Sequence, residues 1–138
     1  MTTRITWVTN NPPELIGGEF VSDVASTRYR VLIPVKQLES RDYESVILAV
    51  TGEKMGDTAL LSMKTDIVVF SKSYYKVNEH LAYIARGVGA KVVCDICDNH
   101  YEDSKHEAHF HNLTRMAHAV TCNTGRMHDK IKEFFPYF

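Results

Sequence analysis

Two short polar stretches hold the side chains that could do chemistry. They read TNNPPELIGG over residues 9–18 and DICDNHYE over residues 95–102. Carboxylate and amide oxygens accept hydrogen bonds from sugar hydroxyls, and histidine suits general-base work because its ordinary pKa lies near neutrality. Turns and caps are the structural alternative for Asp and Asn. The candidate binding residues are Asn10, Asn11, Asp98 and Asn99, and the candidate catalytic group is His100.

A glycine pair ends the first stretch, and two arginines follow it. Gly17 and Gly18 would let backbone amides approach a phosphate or a sugar closely, unless they form only a flexible turn. The pair matches neither the G-x-G-x-x-G fingerprint nor a P-loop. Arg28 and Arg30 are two residues apart, so on a helix they point in different directions. We expect Arg28 to meet a phosphate or carboxylate, the alternative being a solvated arginine.

The cysteines and histidines give weaker indications of redox or metal chemistry. Cys94 and Cys97 have the C-x-x-C spacing, but they fall in or at the end of a predicted strand. Side chains three apart on a strand point to opposite faces, which favours a buried packing cysteine over a redox pair. The run HEAHFH at 106–111 lacks the H-E-x-x-H spacing, and we predict no bound metal and no cofactor.

Apolar patterning predicts the elements that position these stretches. Short runs rich in β-branched, aromatic and apolar residues predict five strands, at 4–9, 45–50, 66–70, 91–96 and 119–123. Residues 10–23 are predicted to be a loop. Apolar residues at helical spacing predict helices at 31–38, 57–63, 77–88, 110–120 and 127–134, with Pro34 either in a first turn or at a kink.

Alternating strands and helices are typical of β-α-β units. We therefore predict a single α/β domain over residues 1–138, a Rossmann-like three-layer sandwich whose mostly parallel sheet has about five strands. Ligands of such sheets bind beyond the carboxyl ends of the strands, where the strand order reverses. In a common order that crevice lies between the first and fourth strands, so we expect the two polar stretches to meet there.

Composition excludes several function classes. The chain has 138 residues, 44% hydrophobic and 24% charged, with a net charge of -1. This charge gives no field to hold polyanions, so we expect neither nucleic-acid nor membrane-surface binding. No apolar run approaches the ~18 residues of a transmembrane helix. An odd number of cysteines, three, favours a reducing, cytoplasmic location. The terminal run FFPYF at 134–138 is expected to expose apolar surface for self-association.

Four segments resemble one family in order and spacing. They are STRYRVLIPVKQL at 26–38, DIVVFSK at 66–72, KVVCDICDNH at 91–100 and AHAVTCN at 117–123. Together they resemble the N-terminal domain of glycosyltransferases of the GT-B architecture, of the family 4 (glycosyl transferases group 1) kind. The resemblance covers nearly the whole chain, and no single motif is diagnostic.

The resemblance implies half of a two-domain enzyme. In that family the N-terminal domain mainly holds the acceptor and the C-terminal domain holds the nucleotide sugar, without a catalytic metal in general. The family's sugar-nucleotide residues have no counterpart here, so the chain is expected to be inactive without a second domain. By position, Gly17, Gly18 and Arg28 would lie near the donor phosphates. The acceptor pocket would be lined by Asp98, Asn99 and His100.

A different class remains open, a partner-binding module with a flavodoxin-like fold and no catalytic role. A phosphorylation receiver domain is disfavoured, because the positions that would carry its acidic pocket hold Asn10 and Asn11 instead. We keep the partner-binding module as the alternative hypothesis.

Overall fold

A computed structural model describes residues 1–50 and 64–138. These residues form a five-stranded parallel sheet with helices on both faces, which confirms the predicted α/β fold of the Rossmann-like kind. The strands of this sheet are β1 (Thr3–Thr9), β4 (Tyr43–Ala49), β5 (Ile67–Ser71), β6 (Lys91–Ile96) and β7 (Ala119–Cys122). The helix predicted at 57–63 lies outside the described residues.

The strand order corrects the predicted location of the crevice. The order is β4-β1-β5-β6-β7, so β5 lies between β1 and β6, the first and fourth of the predicted strands. The chain crosses from β1 to β4 on one side, and the later strands add on the other side. The order therefore reverses between β1 and β5, which is where a ligand crevice of such a sheet is expected.

A short hairpin occupies part of the segment that was predicted to be a loop. Its antiparallel strands are β2 (Glu14–Ile16) and β3 (Glu19–Val21). All six of its strand residues are exposed, including Leu15, Ile16, Phe20 and Val21. The hairpin therefore places apolar side chains on the surface next to the first helical segment.

The first helical segment contains a turn of π-helix. It runs through α1 (Ala25–Thr27), a π turn (Arg28–Leu32) and α2 (Ile33–Glu39). The Ile33 N–H donates to the Arg28 carbonyl five residues earlier, and the next residue, Pro34, has no N–H to donate. Sequence analysis left Pro34 either in a first turn or at a kink, and the structure places it at the second position of α2, directly after the π turn. The wider turn changes which side chains face the sheet.

Three further helices cover the opposite face of the sheet. They are α3 (Lys76–Gly87), α4 (Glu107–Met116) and α5 (Gly125–Phe134). Their apolar stripes pack with the sheet in one large cluster around Val8, Val68 and Phe70. A smaller cluster around Trp7 and Val31 lies under the first helical segment. The predicted helix at 110–120 was too long, because its last apolar position, Val120, belongs to β7.

The C-terminal aromatic run is mostly packed, which contradicts the expected exposed surface. Phe135 is buried in the large cluster, and Phe134 and Phe138 pack against it half-buried. The ring of Tyr101 lies 5.2 Å from that of Phe134, which ties the run to the segment after β6. Only Tyr137 of this run is a large exposed side chain. The run therefore exposes less apolar surface than expected, and self-association through it stays a prediction.

No helix in residues 1–50 and 64–138 has the combined length and apolar character required to cross a membrane.

Candidate functional site

A groove of about 390 Å³ opens at the carboxyl ends of β1 and β5. This is the point where the strand order reverses, and the volume is within the range of small-molecule sites. Its walls come from the segments that follow β1, β4 and β5 and from the start of α4. The residues that line it are Asn10, Asn11, Val50, Tyr74, Tyr75, Lys76, Lys105, His106 and His109.

A fully buried asparagine on α3 fixes one wall of the groove. The Tyr75 N–H, at the start of α3, donates to Asn78 Oδ1 at 3.1 Å. This contact makes Nδ2 the remaining end of the Asn78 amide, and Nδ2 donates to Asn10 Oδ1 at 3.4 Å. Helix capping thereby sets the orientation of the Asn10 side chain, because a flipped Asn10 amide would place two donors against each other.

The Asn10 amide nitrogen has no acceptor among the residues that the structure describes. Asn10 Nδ2 is buried, and it is the one buried side-chain nitrogen or oxygen in the described residues without a hydrogen-bond partner. Leaving a buried donor unpaired costs about 1–3 kcal/mol.

Aromatic rings form the second wall. The Tyr74 ring lies 4.6 Å from that of His106, between ring centres, and 4.3 Å from that of His100. Tyr75 meets His106 edge-on at 5.5 Å. Burial and a hydrogen bond with Tyr75 raise the pKa of Tyr74, so its phenol stays neutral. Such a wall offers flat apolar faces together with polar tips.

A histidine and a glutamate from neighbouring helices meet beside this wall. His109 Nδ1 lies 2.6 Å from Glu79 Oε2, and the second Glu79 oxygen accepts from Asn112 at 3.0 Å. A carboxylate only accepts, so Nδ1 carries a hydrogen, and in the neutral imidazole Nε2 is then the ring nitrogen with the lone pair. His109 is thus held in one tautomer at the edge of the groove.

Arg30, rather than the expected Arg28, reaches the carboxyl edge of the sheet. The Arg30 guanidinium binds Asp95 on β6, and the Thr121 hydroxyl donates to the same carboxylate oxygen at 2.7 Å. Burial opposes the charge on Arg30, but the hydrogen bond and the charge of Asp95 outweigh it and raise its pKa. Arg28 donates instead to the Ser22 carbonyl at 2.8 Å, away from the groove.

The π turn explains why Arg30, rather than Arg28, reaches the carboxyl edge of the sheet. An ordinary helix advances about 3.6 residues per turn, whereas the π turn closes with a bond five residues long. The phase of the side chains therefore shifts within residues 28–32. Neither arginine lines the groove.

The glycine pair forms the turn of the hairpin. Gly17 and Gly18 have φ values of 59° and 82°, the left-handed geometry of a two-residue hairpin turn that favours glycine. Both are exposed, and neither belongs to the walls of the groove. This turn accounts for the pair without a phosphate.

The second polar stretch lies beside the groove rather than on its walls. Asp98 Oδ2 forms an ion pair with Lys72 Nζ at 2.9 Å, and this contact raises the pKa of Lys72. Asn99 Oδ1 accepts from the Tyr101 N–H at 3.0 Å, so it closes a turn. His100 packs behind Tyr74, with Nδ1 3.4 Å from Asp103. Of the expected binding residues, the structure brings only Asn10 and Asn11 to the groove.

The burial of Cys94 and Cys97 favours a packing role over a redox role for these two cysteines. Cys94 is buried, and burial raises the pKa of its thiol. Cys97 is half-buried, and burial raises its pKa as well despite the nearby Arg30 and Lys72. In the part of the chain that the structure describes, no three His, Cys, Asp or Glu side chains are grouped to hold a metal ion.

Several groove residues were missed by sequence reasoning. Tyr74, Tyr75 and Lys76 follow β5, which was not expected to flank the crevice. The pair Glu79 and His109 is separated by 30 positions and joined only by the packing of α3 against α4. The one usable signal was the run SKSYYK after the third predicted strand, since a strand end next to the reversal point is where ligands bind.

Comparison of the chain with protein-family models, with curated proteins and with solved structures gives no match.

Proposed function

We propose that this chain is the acceptor-binding domain of a glycosyltransferase, acting with a second domain that holds the nucleotide sugar. The observation that carries the proposal is the groove at the carboxyl ends of β1 and β5, with one aromatic wall and one amide wall. Sugar rings combine apolar C–H faces with hydroxyl groups, and a site with flat aromatic faces and a few fixed polar groups is suited to both.

The pair of His109 and Glu79 supplies a proton acceptor in this proposal. His109 Nε2 accepts the proton of the acceptor hydroxyl as that oxygen attacks the anomeric carbon of the donor sugar and the nucleotide leaves. Glu79 holds the tautomer and stabilises the imidazolium that forms. His109 takes the role that sequence analysis assigned to His100, because His109 lines the groove and is oriented by a carboxylate at 2.6 Å.

Chemical-shift titration tests the proposal directly. The ¹⁵N-labelled chain is titrated with a panel of monosaccharides and sugar phosphates. We expect shifts confined to the amides of the groove residues. A Tyr75→Ala variant should weaken binding, whereas Tyr83→Ala, an exposed tyrosine further along the same helix, should not. The proposal is wrong if no member of the panel shifts the groove amides.

A second candidate function, a partner-binding module, is favoured by the hairpin. Leu15, Ile16 and Phe20 are exposed there, and the outer edges of its two strands have no strand partner in the described residues. Such edges pair readily with another strand, and a two-fold axis would join two copies of this chain hairpin to hairpin. Light scattering would show a dimer that a Phe20→Ser variant abolishes. A monomer at high concentration would contradict this candidate.

A further inference from the structure

We propose that Asn112 is a positioning residue for His109: it fixes the Glu79 carboxylate, and the carboxylate fixes the tautomer of the imidazole at the groove. This inference rests on the proposed function, in which His109 Nε2 accepts a proton, and it names the residue on which that role depends. The contacts that carry it form a continuous series of side chains from the surface of α4 to the groove.

The tautomer of His109 decides what its ring can do. Nδ1 lies 2.6 Å from Glu79 Oε2, and His109 lines the groove. With the hydrogen on Nδ1, the neutral ring has its lone pair on Nε2, which points away from Glu79 because the two nitrogens lie on either side of Cε1. With the hydrogen on Nε2, the lone pair would face the carboxylate, and the ring could not take a proton from a ligand hydroxyl.

Glu79 needs a second contact to hold that tautomer. A glutamate side chain has three rotatable bonds and a broad last torsion, so a single hydrogen bond leaves the carboxylate free to turn. Asn112 Nδ2 donates to Glu79 Oε1 at 3.0 Å, while Oε2 meets His109. Each carboxylate oxygen thus has its own partner, and Oε2 stays directed at Nδ1.

The amide of Asn112 is itself fixed in one orientation. Its Oδ1 accepts a hydrogen bond from the Arg115 guanidinium at 3.0 Å. A flipped amide would place its oxygen against the Glu79 carboxylate and its two hydrogens against the guanidinium, and both contacts are unfavourable. Arg115 therefore supports the donor that holds Glu79.

Two packed helices supply these side chains. His109 and Asn112 are three residues apart on α4, so they lie side by side on one face of that helix. Glu79 is in the first turn of α3, which packs against α4. The side chains of His109 and Glu79 are 35% and 29% exposed, so water competes only in part for their hydrogen bond. Asn112 is a neutral donor, so it holds the carboxylate without cancelling the negative charge that stabilises a protonated His109.

Long-range ¹H–¹⁵N spectra of the histidine rings test this inference without any ligand. At a pH where the rings are neutral, we expect His109 to show a protonated Nδ1 and an unprotonated Nε2. His111, on the same helix, is an internal reference with the opposite tautomer. Its Nε2 lies 3.2 Å from the Tyr101 carbonyl oxygen, which only accepts, so Nε2 carries the hydrogen there.

Matched variants assign the effect to Asn112. Asn112→Leu removes the amide and keeps a side chain of similar size. We expect its His109 tautomer ratio to fall about fivefold, as the loss of one ordinary hydrogen bond allows, while His111 keeps its spectrum. Arg115→Met should move the His109 ratio in the same direction by a smaller factor. Asn123→Leu, the same substitution at an exposed position after β7, should leave both rings unchanged.

The outcomes separate this inference from the proposed function. Mixed tautomers of His109 in the unchanged chain, or an unaltered His109 ratio in Asn112→Leu, overturn the inference and leave the acceptor-binding function in place. A change in both His109 and His111 also overturns it, because Asn112 would then be a structural contact between the helices. A change confined to His109, in a chain whose groove amides respond to no sugar, supports the inference and contradicts the sugar function.

The exposed arginine keeps the test decisive if Asn112→Leu does not fold, which circular dichroism would show. Arg115 lies on the surface of α4, so Arg115→Met is expected to fold. A His109 tautomer ratio in Arg115→Met equal to that of the unchanged chain would then overturn the inference.

Discussion

Replacing Asn78 by alanine should lower the free energy of unfolding by about 2–4 kcal/mol. Asn78 is fully buried and makes two side-chain hydrogen bonds that alanine cannot make. One secures the start of α3 through the Tyr75 N–H, and the other holds Asn10 Oδ1. The variant removes both and leaves a small cavity.

The magnitude follows from these two losses. A side chain that caps a helix N-terminus contributes about 1 kcal/mol. An acceptor left without its donor costs about 1–3 kcal/mol, toward the lower end for Asn10 because that residue is only half-buried. The freed Asn10 amide can also rotate, so we expect weaker binding of a groove ligand in the same variant.

Urea unfolding followed by tryptophan fluorescence measures the effect, since Trp7 is buried in the sheet. Asn99→Ala is the matched control: Asn99 Oδ1 accepts a backbone N–H at 3.0 Å in the same manner, but the residue is exposed. The control should lose less than about 1 kcal/mol. Equal losses in the two variants, or a loss below about 1 kcal/mol in Asn78→Ala, would refute the reasoning.

Three further predictions concern the surroundings of the groove. Asp95→Asn should cost about 1–3 kcal/mol in urea unfolding, because it breaks the largely buried ion pair with Arg30, and an unchanged midpoint would contradict that role. Cys94 should react with iodoacetamide only as fast as the chain unfolds, since it is buried and burial raises its pKa; rapid labelling of the native chain, read by mass spectrometry, would be the contrary result. The folded pKa of Asp103 lies below its ordinary 3.8, so its stabilisation is complete well above pH 3.8 and is lost as the pH falls toward the folded pKa. In Asp103→Asn, the free energy of unfolding should therefore fall less steeply as the pH is lowered. A slope equal to that of the unchanged chain would argue against the contact.

The sheet was predictable because its strands are short runs rich in β-branched and apolar residues. Residues 91–96 were predicted without error, and the other strands differ from the structure by one or two residues at their ends. Strands covered on both faces need such runs, and no other local pattern competes with them. The hairpin was missed because its strands have three exposed residues each, although a glycine pair between two short apolar runs is a recognised turn signal.

The site was less predictable because it depends on packing between distant segments. The two polar stretches lie at the same edge of the sheet as expected, but strand order decides which loops become neighbours, and β5 lies between them. Arg28 was preferred to Arg30 because it lies nearer the start of the helix, and no local pattern indicated the π turn that changes the direction of the side chains over residues 28–32. The pairing of His109 with Glu79 requires two helices to pack in one register, which no local pattern encodes.

The central claim is that the groove at the carboxyl ends of β1 and β5 binds a sugar between its aromatic wall and its amide wall. The backbone ¹H–¹⁵N resonances of Asn11, Tyr75 and Lys76, which line the groove, report such binding directly. Addition of a monosaccharide or sugar phosphate that binds should shift these resonances and leave that of Tyr83, an exposed residue further along α3, unmoved. Groove resonances that stay in place at saturating concentrations of every sugar tested would contradict the account.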